Sequence, residues 1–218
     1  MNKEWFNKVI TKRIVRILGI LKNDFNLEGS FYIGGNSLNR QKSFSDIDIF
    51  PIKGKSIDVN SGEKICATKN ATTYKSNNYL LQVCNYKKES LQDLVDSFDY
   101  AHIQIGAEIQ NFNIIDIYCT DNYINYNVIG DSTFVSSEYP VSSLIRSSKY
   151  FKKGQISKGQ LIYSQLIALT DIIERGFIDY DDFKDQLDAV DLGLLPEELD
   201  DVGQSKLVTL FKLLEKKI

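Results

Sequence analysis

Histidine appears once in the 218 residues, and cysteine and proline three times each. Each scarcity closes off a class of protein. A single histidine argues against metal-dependent phosphoesterases, whose centres often use several. Cys66, Cys84 and Cys119 are odd in number and never spaced C-x-x-C, which argues against a disulfide framework and a zinc site and leaves buried or half-buried free thiols. No apolar run reaches the roughly 18 residues of a membrane span. Glu4 and Lys8 interrupt the stretch where a signal peptide needs unbroken apolar residues, so a cytoplasmic protein with no membrane partner is expected. Charge of one sign is missing too: 26 Lys and Arg against 29 Asp and Glu give −3, without the basic footprint of a nucleic-acid-binding domain.

What the chain does have is apolar content, 43% of its residues, enough for a substantial core in one domain or one domain with an appendage. Trp5, Ile10, Ile14, Ile17, Leu18 and Leu21 recur at helical spacing, which predicts a helix over 3–24. Phe31-Tyr32-Ile33 before Gly34-Gly35, and Asp46 to Phe50 before Pro51, read as two strands around a glycine-rich connection. Residues 51–73 carry little pattern. Tyr79 to Cys84 reads as a strand, Glu89 to Ser97 as a short helix, and Tyr100 to Ile109 and Ile114 to Thr120 as two β segments around a hairpin-length gap, with the sheet ending near residue 130. After Pro140 the pattern turns helical at 143–151, 159–174, 181–190 and 205–217. The expectation is an α+β fold: a mixed β-sheet head flanked by helices over 1–138, then a C-terminal helical region over 139–218.

The chemistry concentrates at Ile33-Gly34-Gly35-Asn36 and Asp46-Ile47-Asp48-Ile49. On a strand, residues i and i+2 share a face about 6.6 Å apart, so Asp46 and Asp48 project together while Ile47 and Ile49 turn inward. Paired carboxylates repel, by about 1 kcal/mol at 4 Å in water and several times more in a cleft. A hard cation, Mg²⁺ or Mn²⁺, relieves that repulsion, and such ions serve in-line displacement at phosphorus. Glycines let a backbone approach phosphate and turn N–H groups onto it, so Gly34, Gly35, Asn36 and Ser37 are candidates to seat a triphosphate, with Asn39 as a further donor.

A hydrophobic residue, Gly-Gly, a spacer, then Asp-x-Asp with hydrophobic residues between and after resembles the signature of the DNA polymerase β nucleotidyltransferase superfamily. The resemblance covers about residues 33–50 most clearly. It implies a nucleoside triphosphate donor, two divalent metals, and transfer of a nucleotide onto a hydroxyl or phosphate acceptor: an RNA or tRNA end, a protein side chain or a small molecule. It also implies a third carboxylate on a later strand. Asp116, in Ile114-Ile115-Asp116-Ile117, resembles the acid-bearing strand of polymerase β itself and would join Asp46 and Asp48 as a metal ligand. Asp99, in Phe98-Asp99-Tyr100, instead resembles the Arg-Asp-Phe-Thr segment of CCA-adding enzymes and the Phe-Asp-Phe segment of phage nucleotidyltransferase-like proteins.

The stretch from Pro140 to Tyr150 resembles the basic helix that follows the catalytic head of CCA-adding enzymes. Arg146 and Lys149 match its last two basic positions, on one helical face where they would meet phosphate. The first arginine of that helix is missing, Leu38 stands where CCA enzymes carry an arginine after the glycines, and no base-reading helix is evident. These departures point away from CCA addition itself. His102 reads as a hydrogen-bonded structural histidine. Lys53, Lys55, Lys75, Lys87 and Lys88, interleaved with Tyr74, Tyr79 and Tyr86, resemble a modest nucleic-acid stripe. The rival expectation is a non-catalytic nucleotidyltransferase-fold binding or regulatory module, antitoxin-like. Oligomeric state does not follow from the sequence.

Overall fold

A computed structural model describes residues 3–39, 44–85, 87–135 and 138–188. The chain falls into two units, Met1–Ser136 and Ser137–Ile218. In the first, helix α1 (Lys3–Phe25) buries Ile10, Ile14, Ile17, Leu21 and Phe25 completely, the stripe its spacing predicts. Asn26 ends the helix in the left-handed region (φ 43°) and turns the chain into β1 (Leu27–Gly34). β2 (Asp46–Pro51), β3 (Ile57–Val59), β4 (Glu63–Ala67), β5 (Ala71–Lys75), β6 (Leu80–Cys84), β7 (Ile105–Gln110) and β8 (Asn113–Cys119) complete an eight-stranded sheet in the order β4-β5-β6-β2-β1-β7-β8, with β3 on β1. Only β2 and β6 pair in parallel among the named strands.

One face of the sheet takes α1: Phe31, Ile33, Ile47, Ile49, Leu81 and Ile105 are wholly buried there. The other face is covered in part by α2 (Leu91–Asp96), started by the Ser90 hydroxyl, which accepts the Asp93 N–H at 3.1 Å. Leu91, Leu94 and Val95 pack against Tyr32, Phe50 and Cys84. Gly106 permits the approach, since a Cβ there would lie 2.8 Å from both Leu91 and Val95. After β8, Thr120 caps α3 (Asp121–Ile129).

In the second unit, α4 (Pro140–Lys152) opens with proline at its first turn, and α5 (Lys158–Arg175) starts from the Ser157 cap. α6 (Tyr180–Asp188) joins them through Phe183, whose ring meets Phe177 edge-on at 4.9 Å beside Val141 and Ile172. The Val141 N–H donates to Gln186 Oε1 at 3.2 Å, and the Ser142 hydroxyl donates to the Gln186 carbonyl. The fold is α+β. No described helix is long and apolar enough to cross a membrane.

Three expectations change. Residues 51–73 hold most of β3, β4 and β5. β4 escapes notice because four of its five residues are exposed, so an edge strand shows no alternation. The segment expected to be strand from Tyr100 begins as a 3-10 turn (Ala101–Ile103), because the Ala101 N–H goes to the Thr133 carbonyl and the His102 N–H to the Ser132 hydroxyl instead of a ladder. The sheet ends at Cys119, and the residues after it form α3. The helix expected at 205–217 lies outside the described residues, as does the end of the one expected at 181–190.

Candidate active site

β1 and β2 run antiparallel with Gly34 opposite Asp48, so the glycine pair arrives where the second carboxylate projects. Ile47 and Ile49 are wholly buried beneath, Asp46 is exposed and Asp48 half-buried, as strand alternation requires. Gly35 has φ +75°, and a Cβ built on it would stand 3.8 Å from Asp48 Oδ2. The turn therefore lies directly against the carboxylate. From Gly35 the chain continues as a 3-10 helix (Gly35–Leu38), closed by the Asn39 N–H donating to the Asn36 carbonyl at 3.0 Å.

The two glycines have different reasons to be glycine. Gly34 is extended (φ −141°), and a Cβ there would fall 2.9 Å from the Phe98 ring and 3.2 Å from Phe50. It is required by packing. Gly35 is required by its backbone conformation. Asn36 is half-buried at the turn. Ser37 is 1% exposed, with its hydroxyl turned to the Gly34 carbonyl at 3.5 Å, and Asn39, wholly buried, donates to the Tyr126 hydroxyl at 3.5 Å. Both polar side chains thus take part in closing the turn.

Arg13, which its place on an amphipathic helix did not single out, touches both described ends of this connection. Arg13, on α1, donates through Nε to the Ser37 carbonyl at 2.5 Å and lays its guanidinium 4.8 Å from the centre of the Phe44 ring. Ser37 lies at the start of the connection between glycine turn and carboxylates, and Phe44 at its end. Arg16 approaches the same ring at 5.5 Å. Burial pushes the Arg13 guanidinium below its ordinary value, Tyr123 opposes that shift and Arg16 adds to it. From α3, the Tyr123 hydroxyl donates to the Leu38 carbonyl at 3.4 Å. Beside Asp46, the Ser45 hydroxyl donates to Oδ1 at 2.9 Å.

The two candidates for a third acid lie in different parts of the first unit. Asp116 shares the face of Asp48, through the pairs Asp116–Glu108, Glu108–Tyr32 and Tyr32–Phe50. It stands three strands from β2, about 14 Å across the sheet, exposed, with its Oδ1 accepting the Ile117 N–H at 2.8 Å. An edge strand explains why an acid sits in so apolar a run. Asp99 is 3% exposed in the bend after α2, where its carbonyl accepts the Val135 N–H at 2.9 Å. Among the described residues no three of His, Cys, Asp and Glu gather as a ligand group.

Of the other candidates, Arg146 and Lys149 lie one turn apart on α4 in the second unit, and Arg146 Nε donates to the Ser142 carbonyl at 3.4 Å. His102 is wholly buried between Tyr100 and Tyr126, its Nδ1 2.8 Å from the Ser132 hydroxyl. In the lysine–tyrosine stripe, Tyr74 and Tyr79 are partly buried against the α1-side core, and Lys53 pairs with Glu89 at 2.5 Å. Tyr86 lies outside the described residues.

Two hard-oxygen side chains on one face, beside a glycine turn, suit a cation that completes its shell with phosphate oxygens and water, as Mg²⁺ does. No protein-family model matches the chain, and no curated protein matches it in sequence. Solved structures similar to it include a Thermotoga maritima CCA-adding enzyme complexed with tRNA, at 11% identity and TM-score 0.47 over 94% of this chain and 53% of that one. A CCA-adding enzyme with CTP matches at 12% and 0.48 over 95% and 54%. A tRNA nucleotidyltransferase with a primer tRNA and an ATP analogue matches at 11% and 0.42 over 93% and 61%. The chain spans about half the length of the first two. At these identities and scores they carry no functional argument, which rests on the residues above.

Proposed function

We propose that the chain is a divalent-metal-dependent nucleotidyltransferase that moves a nucleotide from a nucleoside triphosphate onto a hydroxyl or phosphate acceptor. The observation that supports it most is the seat of Gly35 against the Asp48 carboxylate. It brings a turn suited to phosphate and a pair of acids suited to a cation to one point. Asp46 and Asp48 would hold Mg²⁺ or Mn²⁺, which supplies charge neutralisation at the phosphates. The N–H groups of the 35–38 turn would orient the donor triphosphate, with Arg13 fixing the turn from beneath.

In the reaction an acceptor oxygen bonds to the α-phosphorus while the α–β phosphoanhydride bond breaks and pyrophosphate leaves. Where the acceptor is a hydroxyl, its proton passes to a carboxylate oxygen of the pair. Positioning and charge stabilisation do most of the work in such transfers. Arg146 and Lys149, one turn apart on α4 of the second unit, are candidates to meet phosphate. A second reading is a nucleotidyltransferase-fold module that binds nucleotide without turnover.

Incubation with each α-³²P-labelled triphosphate, Mg²⁺ or Mn²⁺, and total RNA, protein or small-molecule acceptors separates the two. Label moved by the wild type and not by Asp46→Ala or Asp48→Ala supports transfer and reveals the acceptor class. Metal-dependent nucleotide binding with no label on any acceptor supports the module.

A further inference from the structure

Sheet order sets what stands on each side of the carboxylate pair. β2 lies between β1, which delivers the glycine turn, and β6, which runs parallel to it. Partners on adjacent strands share a face, so Leu80 stands beside Asp46 and Gln82 beside Asp48. Thr73 follows at the level of Gln82 on β5. The phosphate side of the pair is therefore glycine, and the opposite side is an amide. Along the strands toward β8, the first acid on this face is Glu108, two strands away beyond Tyr32, where it accepts the Gln110 amide at 2.7 Å. The connection from Asn36 to Ser45 contains no acid at all.

Resting on the function proposed above, we infer that the pair holds a single divalent cation, on its phosphate side, and that Gln82 fills the acceptor side where a second ion would need an anionic ligand. Two ions 3.5 to 4 Å apart require carboxylates to bridge and screen them. Here two acids serve the first ion together with the triphosphate, and the strand positions described toward β6, Leu80, Gln82 and Thr73, carry no negative charge. A neutral amide binds Mg²⁺ weakly beside carboxylates and water, but it donates and accepts hydrogen bonds. Gln82 is thereby suited to orient the acceptor as it approaches over β6. Gln82 is half-buried, and Glu has its shape, so Gln82→Glu restores the missing charge with little change in packing.

Mn²⁺ electron paramagnetic resonance, with a non-hydrolysable α,β-methylene ATP analogue, counts the ions without turnover. The wild type should bind one Mn²⁺ per chain with the six-line spectrum of an isolated ion. Gln82→Glu should bind two, with the exchange-coupled spectrum of ions about 4 Å apart. Two coupled ions in the wild type would overturn the single-ion inference while leaving nucleotidyl transfer intact. One uncoupled ion in both proteins would overturn the part assigned to Gln82. No Mn²⁺ lost on Asp48→Ala would overturn the functional reading along with it.

Discussion

Gly34 and Gly35 are adjacent and chemically identical, yet the structure asks different things of them. An alanine at 34 drives its methyl into the Phe98 ring, where the Cβ would sit at 2.9 Å. Gly34→Ala should cost about 1–3 kcal/mol of stability, read by urea unfolding. An alanine at 35 meets no close atom but must hold φ +75°, at about 1–2 kcal/mol. Its added methyl also points at Asp48, so Gly35→Ala should weaken nucleotide binding about 10-fold by calorimetry, whereas Gly34→Ala should chiefly lower stability. Equal losses of affinity would contradict the division of roles. The pair and the two acids were legible in the sequence because both follow local rules, strand alternation and glycine geometry. The strand neighbours of the pair, Gln82 among them, and the edge position of Asp116 were not. Which strand lies beside β2 is decided by long-range pairing, and an acid inside an apolar run looks the same at a sheet centre as at its edge.

The connection between turn and carboxylates depends on α1. Arg13→Lys keeps a cation near Phe44 but loses the planar fork and the bond from Nε to Ser37, worth about 1 kcal/mol. Hydrogen exchange at the Asn39 amide should speed up about 5-fold or more, with β7 and β8 amides unchanged. Uniform acceleration would mean general destabilisation instead. On the opposite sheet face, burial raises the Tyr32 phenol, helped by Glu108 and Asp93, and burial raises that of Tyr118 with help from Asp96. The folded protein holds these protons more tightly than the unfolded chain, so their contribution is full below about pH 10 and falls as pH rises past it. Tyr32→Phe should flatten that alkaline loss in unfolding curves, and an unchanged slope would count against it. The α1 stripe was readable from spacing. β4 was not, since exposure on both faces erases its period, and Arg13 was hidden because a cation on an amphipathic helix reads as solvated until its partner is known.

For the whole molecule, the near-neutral charge and the change of pattern at Pro140 were plain in the sequence, while pairing across the sheet came only from the structure. If the site is a nucleotide site, occupancy must stabilise the entire first unit, since α1, β1, β2 and α3 all meet at it. Nucleotide with Mg²⁺ at about 100 times its dissociation constant should add about 2.7 kcal/mol. Asp48→Asn should abolish the gain without lowering the stability of the unliganded protein.

The central claim is that Asp46 and Asp48, beside the Gly35 turn, support transfer of a nucleotide from its triphosphate. Its most direct test is pyrophosphate released from each nucleoside triphosphate with total RNA and Mg²⁺, compared between wild type and Asp48→Asn. Release stoichiometric with label gained by the acceptor, and at least 100-fold slower in the variant, is the predicted result. Equal rates in the two proteins, or nucleotide bound without any pyrophosphate released, would contradict it.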